Sequence, residues 1–190
     1  KLNEIAENFD LSMDELNKKI SKIDQILLNE RSKRVRPGLD DKSLTAWNSL
    51  LISGFCKAYK AFGDDKYLAA AKNIFTWLKE YQINNEKLYH TFKNGESKID
   101  GFLDDYSTTI GAMIDLYQVT LDAQYFQLAQ ALTKTAISQF YNEKSGMFFF
   151  TSENSELIAR QMELNDNVIP ASNSIMARNL YYLGSLLDDG

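Results

Sequence analysis

The chain has 190 residues, 44% of them hydrophobic and 12% aromatic, enough to bury a core within one domain. A net charge of −5 lacks the basic excess that nucleic acid or an anionic membrane surface selects, so neither partner is expected. No apolar run approaches the ~20 residues of a membrane-spanning helix.

Cys56 is the single cysteine. It has no partner for a disulfide, which points to a reducing, cytoplasmic setting and to a small core residue rather than a reactive thiol. The chain begins Lys1-Leu2-Asn3-Glu4 with neither an initiator Met nor an apolar leader, the expectation for a fragment or a processed product.

Residues 12–29 carry Met13, Leu16, Ile20, Ile23 and Leu27 at helical spacing, with Ser12 or Asp10 as N-cap. Arg31 to Arg36 is a basic linker closed by Pro37-Gly38, read as a solvated loop. These features divide the chain into an N-terminal helix and linker, 1–36, and a run of helical hairpins, 37–190. A helix is expected from about Asp41 to Phe62, carrying Leu44, Trp47, Leu51, Phe55 and Tyr59, with Gly63 ending it. Asp64 caps the next helix, which carries Tyr67, Leu68, Ala71, Ile74, Phe75 and Leu78 on one face. Asn84-Asn85 turns the chain into an extended piece, Leu88 to Phe92, which ends in the strong turn signal Asn94-Gly95. Asp104 or Asp105 starts a further helix, Asp122 starts its partner, and Gly146 to Thr151 is a second extended piece. Residues 156–170 read as irregular, and Asn173 to Leu187 as the last helix.

Self-similarity runs through this order. Tyr59 stands before Gly63-Asp64 as Tyr117 stands before Leu121-Asp122, and a third copy starts at Asn173. Repeats of this length are supersecondary units that need neighbours to bury their apolar faces. The expected fold is therefore all-α, a segment of an α/α toroid built from helical hairpins, with two short β-excursions on one rim.

Aligning the hairpins brings three polar clusters to the first turns of three equivalent helices. They are Asp40, Asp41, Trp47 and Asn48; Asp104, Asp105 and Tyr106; and Asp166, Asn173 and Ser174. Carboxylates beside aromatic walls suit sugar chemistry, which needs an acid, a base and flat faces for stacking on rings. An Asp at a helix start is ordinarily an N-cap. One helix has one cap, so each doubled acid leaves one member to be explained otherwise. The candidate acid–base groups are Asp41, Asp104 and Asp105. Trp47 and Tyr106 are candidate stacking surfaces, and Asn48, Asp166, Asn173 and Ser174 complete the candidate substrate-binding set. His90, the single histidine, lies in an excursion where a packed or solvent-facing role is expected. No clustered His and Cys spacing indicates a metal, and no cofactor is expected.

Arg36-Pro37-Gly38-Leu39-Asp40-Asp41-Lys42, Thr45-Ala46-Trp47-Asn48, Gly101-Phe102-Leu103-Asp104-Asp105-Tyr106 and Pro170-Ala171-Ser172-Asn173-Ser174 together form an ordered pattern. On these motifs the chain resembles the YyaL-type family of thioredoxin-domain-containing proteins, related to mammalian spermatogenesis-associated protein 20. The resemblance covers residues 35–190. It implies a segment of a six-hairpin glycosidase-type toroid, similar to N-acylglucosamine 2-epimerase and cellobiose epimerase. It also implies, as partners, the remainder of the toroid and a thioredoxin-like domain. The family pattern at the last motif is usually Pro-Ser-Gly-Asn-Ser, from which Ala171 and Ser172 depart. The related epimerases use histidines as proton-transfer bases. His90 lies outside the matching motifs, so no such role is carried onto it. Two functions follow: a sugar hydrolase or isomerase using the rim carboxylates, or a non-catalytic binding or scaffold domain serving the thioredoxin-like domain.

Overall fold

The computed structural model describes residues 2–153 and 159–187. The chain divides into two compact units, residues 1–40 and 41–190. The first unit holds α1 (Leu2–Asn8) and α2 (Met13–Ser32). Ser12 caps α2 through a reciprocal box with Glu15, whose Oε2 accepts from the Ser12 backbone N–H at 2.9 Å.

The second unit carries the hairpins. Its order is β1 (Ser43–Leu44), α3 (Thr45–Phe62), α4 (Asp65–Trp77) closing in one π turn at Leu78–Gln82, then β2 (Ile83–Asn84), β3 (Lys87–Lys93) and β4 (Glu96–Asp100). There follow α5 (Leu103–Thr120), α6 (Ala123–Phe140), β5 (Tyr141–Asn142), β6 (Met147–Phe148) and α7 (Ser172–Leu187). The all-α reading holds, and both β-excursions are present.

The repeat in the sequence is a repeated helix end. Gly63 and Leu121 both take the left-handed conformation, with φ of 68° and 57°. Their N–H groups donate to Tyr59 O at 2.8 Å and to Tyr117 O at 2.7 Å. Asp64 and Asp122 then cap α4 and α6, each accepting from the N–H two residues on, at 3.0 Å.

α5 packs between α3 and α7, while α4 covers α3 and α6 covers α5. Buried side chains lie all round α5, as a helix enclosed on every side requires. Cross-links between Ser49 and Thr109, and between Lys60 and Gln118, set α3 and α5 parallel and in register. α7 runs the same way, with Asn179 bonded to Ser107 of α5 and Ile175 beside Asp104 and Thr108, so the first turns of α3, α5 and α7 face one way.

α1 lies where the sequence marks no helix, the second excursion is a strand only at Met147–Phe148 within the expected 146–151, and two boundaries nearer the site also differ. α3 starts at Thr45, not near Asp41, because residues 43–44 pair with Phe92 and Thr91 of β3. The first excursion is also wider than expected: β4 returns along β3, turning at Asn94-Gly95 with φ of 54° and 80°. Gly101 brings the chain back against β3. Its N–H donates to Leu88 O at 2.7 Å, and a Cβ there would stand 2.9 Å from that oxygen. Cys56 is fully buried, and burial pushes its thiol up to about 11, which makes it an inert core residue. Among the described residues no helix is long and apolar enough to cross a membrane.

Candidate active site

Asp105 is the node of the rim. It is fully buried in the first turn of α5. Its Oδ1 accepts the Ala46 N–H of α3 at 3.0 Å, and its Oδ2 accepts the Phe102 N–H at 2.9 Å. One carboxylate thus satisfies free N–H groups at the starts of two helices. This explains why α3, whose N-cap residue Leu44 makes no side-chain cap bond, can begin where it does. The third partner is His90 of β3, whose Nδ1 lies 2.8 Å from Oδ2. With two backbone N–H groups already aimed at it, Asp105 is the acceptor, and His90 carries the hydrogen on Nδ1. The His90 ring packs 4.8 Å from that of Phe102, which in turn stacks on Phe150.

Asp104 is placed differently. It receives one N–H, that of Asp105 at 2.9 Å, and faces a small cavity of about 90 Å³. Trp47 of α3, Thr108 of α5, Glu163 and Pro170 of the segment before α7, and Ile175 of α7 share that cavity. Burial and the adjoining Asp105 charge push the Asp104 carboxyl up to about 7, with a smaller push from Glu163 and an opposing pull from His90. Burial also raises Asp105, against the His90, Phe102 and Ala46 donors that favour its charged form. The hydrogen bond to Asp105 raises His90 above the ordinary imidazole value.

The remaining predicted residues separate into two groups. Trp47, 65% exposed, joins Asp104 at the cavity. The others serve the frame. Asp41 pairs with Lys93 Nζ at 2.5 Å, and that bond holds its carboxyl below the usual range. Asn48 Nδ2 donates to Leu44 O at 2.8 Å. Tyr106 is 1% exposed, packs on Phe140, and uses its hydroxyl to accept the Leu88 N–H, so no sugar ring can stack on it. Asp166 accepts the Ala171 N–H at 2.8 Å and is bonded by Ser174, which closes the start of α7. Asn173 is buried, exchanging bonds with Phe148 N–H and O and donating to Glu163 O.

His90 and Glu163 are site residues that sequence reasoning left out. Nothing in the extended run 87–93 marks His90 as facing Asp105. Glu163 lies in a stretch without periodicity. His90, Asp104 and Asp105 each offer an atom within 4.8 Å of the others, a set that could hold a metal ion. Asp105 is already committed to three N–H donors, so the arrangement suits proton transfer better than coordination.

Comparison with known proteins agrees with this architecture. An uncharacterized protein of Caenorhabditis elegans is 32% identical over 97% of this chain and 26% of its own length. Mouse spermatogenesis-associated protein 20 is 29% identical over 84% of this chain and 22% of its own. The chain therefore spans about a quarter of the length of the curated relatives it matches. Among solved structures, cellobiose 2-epimerase from Bacillus thermoamylovorans superposes with a TM-score of 0.64 at 17% identity, over 78% of this chain and 40% of that one. A family GH76 α-mannanase from Bacteroides thetaiotaomicron gives 0.64 at 15% identity, over 83% and 41%. These likenesses establish the fold, a segment of an α/α toroid. The model of the beta-L-arabinofuranosidase GH127 catalytic domain matches residues 28–174, and the chain belongs to that family.

Proposed function

We propose that the first turns of α3 and α5, with the segment before α7, form the acid–base wall of a sugar-cleaving site in which Asp104 moves the proton. The observation that carries this reading is a carboxyl pushed up to about 7 on a cavity walled by an exposed indole. Such a group is half protonated near neutral pH, where an acid–base catalyst is most effective. Structural neighbours named as hydrolases and as epimerases share the fold. Two carboxyl groups on one cavity, Asp104 and Glu163, favour hydrolysis.

In this reading a sugar ring lies against Trp47. Asp104 gives its proton to the leaving oxygen as the glycosidic C–O bond breaks. Glu163 faces the developing positive charge and takes a proton from the water that adds to the anomeric carbon. Proton exchange with solvent then returns Asp104 to its acid form and Glu163 to its carboxylate. Asp105 and His90 touch no substrate. They are positioning residues: the Asp105 charge keeps Asp104 protonated, and His90 holds Asp105 in place.

The test is a panel of aryl glycosides incubated with the chain and with Asp104→Asn. The reading expects release of phenol from at least one glycoside and a loss of about 100-fold or more in the variant. Equal rates for the two proteins would remove Asp104 from the chemistry.

A further inference from the structure

A second polar cavity, of about 310 Å³, lies further along α3, α5 and α7. It shares no lining residue with the rim cavity. Lys57 and Lys60 of α3 and Arg178 of α7 face it, against one carboxylate, Asp115 of α5. Three cations around one carboxylate stand out in a chain of net charge −5. Lys60 Nζ is held by Gln118 Oε1 at 2.8 Å. Neither Lys57 nor Arg178 has an ion-pair partner among the described residues.

Charge alone would describe a solvated patch, and lysines near the end of α3 suit its dipole. Two further features do not fit that description. Asn179 is 1% exposed, and its Nδ2 donates to Ser107 O at 2.7 Å, which fixes the amide. Its Oδ1 is then left buried in the cavity wall without a donor. Buried acceptors are normally paired, and this one calls for a hydroxyl or N–H from outside the chain. Opposite it stands Gly111, in the middle of α5, where alanine would be the better helix former. A Cβ at Gly111 would stand 3.0 Å from Arg178 Nη2 and 3.2 Å from Asn179 Oδ1. The glycine keeps open the space between the cation and the unpaired acceptor.

We infer that this cavity binds a small anionic polyol, a sugar acid or a sugar phosphate. Arg178, Lys57 and Lys60 take the anionic group, and Asn179 Oδ1 accepts from a hydroxyl beside it. The volume is at the lower end for ligand sites, which fits one sugar ring. The inference does not rest on the rim chemistry.

Calorimetric titration of the chain with glucuronate, glucose 6-phosphate, glucose and inorganic phosphate tests it. Saturable binding is expected for glucuronate or glucose 6-phosphate, with glucose and inorganic phosphate at least tenfold weaker. The tighter of the two acids identifies the anionic group as carboxylate or phosphate. Gly111→Ala, whose methyl requires Arg178 Nη2 and Asn179 Oδ1 to give way by a few tenths of an ångström, is expected to lose binding at least tenfold. Arg178→Ala, or Lys57→Ala with Lys60→Ala on the exposed side, is expected to lose as much. Absence of saturation with both acids overturns the inference. So does inorganic phosphate matching them, or unaltered binding by Gly111→Ala and the cation variants.

Discussion

His90 Nδ1 sits 2.8 Å from Asp105 Oδ2, and this contact joins the β3–β4 hairpin to the first turn of α5. It divides labour within the acidic pair. Asp105 spends its lone pairs on Ala46, Phe102 and His90, while Asp104 stays available at the cavity. The doubling of acids in the sequence leaves either member open to the functional role. The structure makes Asp105 the cap and Asp104 the spare.

Asp105→Asn is expected to destabilise the chain by about 3 kcal/mol, because an amide NH₂ would oppose N–H groups that need a buried acceptor. Asp104→Asn keeps an acceptor for the Asp105 N–H and should cost far less at pH 5. Urea melts of the two variants measure the difference.

Stability should fall as pH rises from about 4 to 7. Folded Asp104 holds its proton to about 7 against 3.8 for the free group, so the native state binds more protons across that window. His90 acts in the same direction. Its raised value adds stability that is complete below 6.5 and is lost as pH rises through the folded value. The chain is therefore expected to be more stable at pH 5 than at pH 8, and Asp104→Asn to reduce that difference by about 2 kcal/mol. Urea melts across this range show the slope.

Leu121→Gly should stabilise the chain by roughly 1 kcal/mol. Leu121 holds a φ of 57° that a branched side chain resists, and it is 77% exposed, so little packing is lost. Gly63→Leu at the equivalent helix end should cost a similar amount. Thermal melts of both variants test the equivalence of the two repeats.

Trp47→Ala should change stability by less than about 0.5 kcal/mol, since the indole is mostly exposed. Sugar binding at the rim should weaken about tenfold. Titration followed by NMR separates the two effects.

Local chemistry explains what the sequence allows to be read. Gly63-Asp64, Asp122 and Asn94-Gly95 act through their own backbone, so spacing and residue type suffice to place them. The start of α3 is different: its cap comes from Asp105, 59 residues away. β4, with Ser97 and Lys98 in its centre, carries no apolar alternation and exists because β3 offers it a partner. Tyr106 reads as a rim aromatic but is drawn into the core by the Leu88 N–H. His90 and Glu163 reach the site through tertiary pairings that no periodicity announces.

The central claim is that Asp104 is the proton carrier. The ¹³C chemical shift of its side-chain carboxyl, followed from pH 3 to 9 and assigned with Asp104→Asn, tests this most directly. The structure predicts a titration midpoint near 7 for that one carboxyl. A midpoint near the ordinary aspartate value of ~4 would show Asp104 to be a solvated rim acid and would contradict the proposed chemistry.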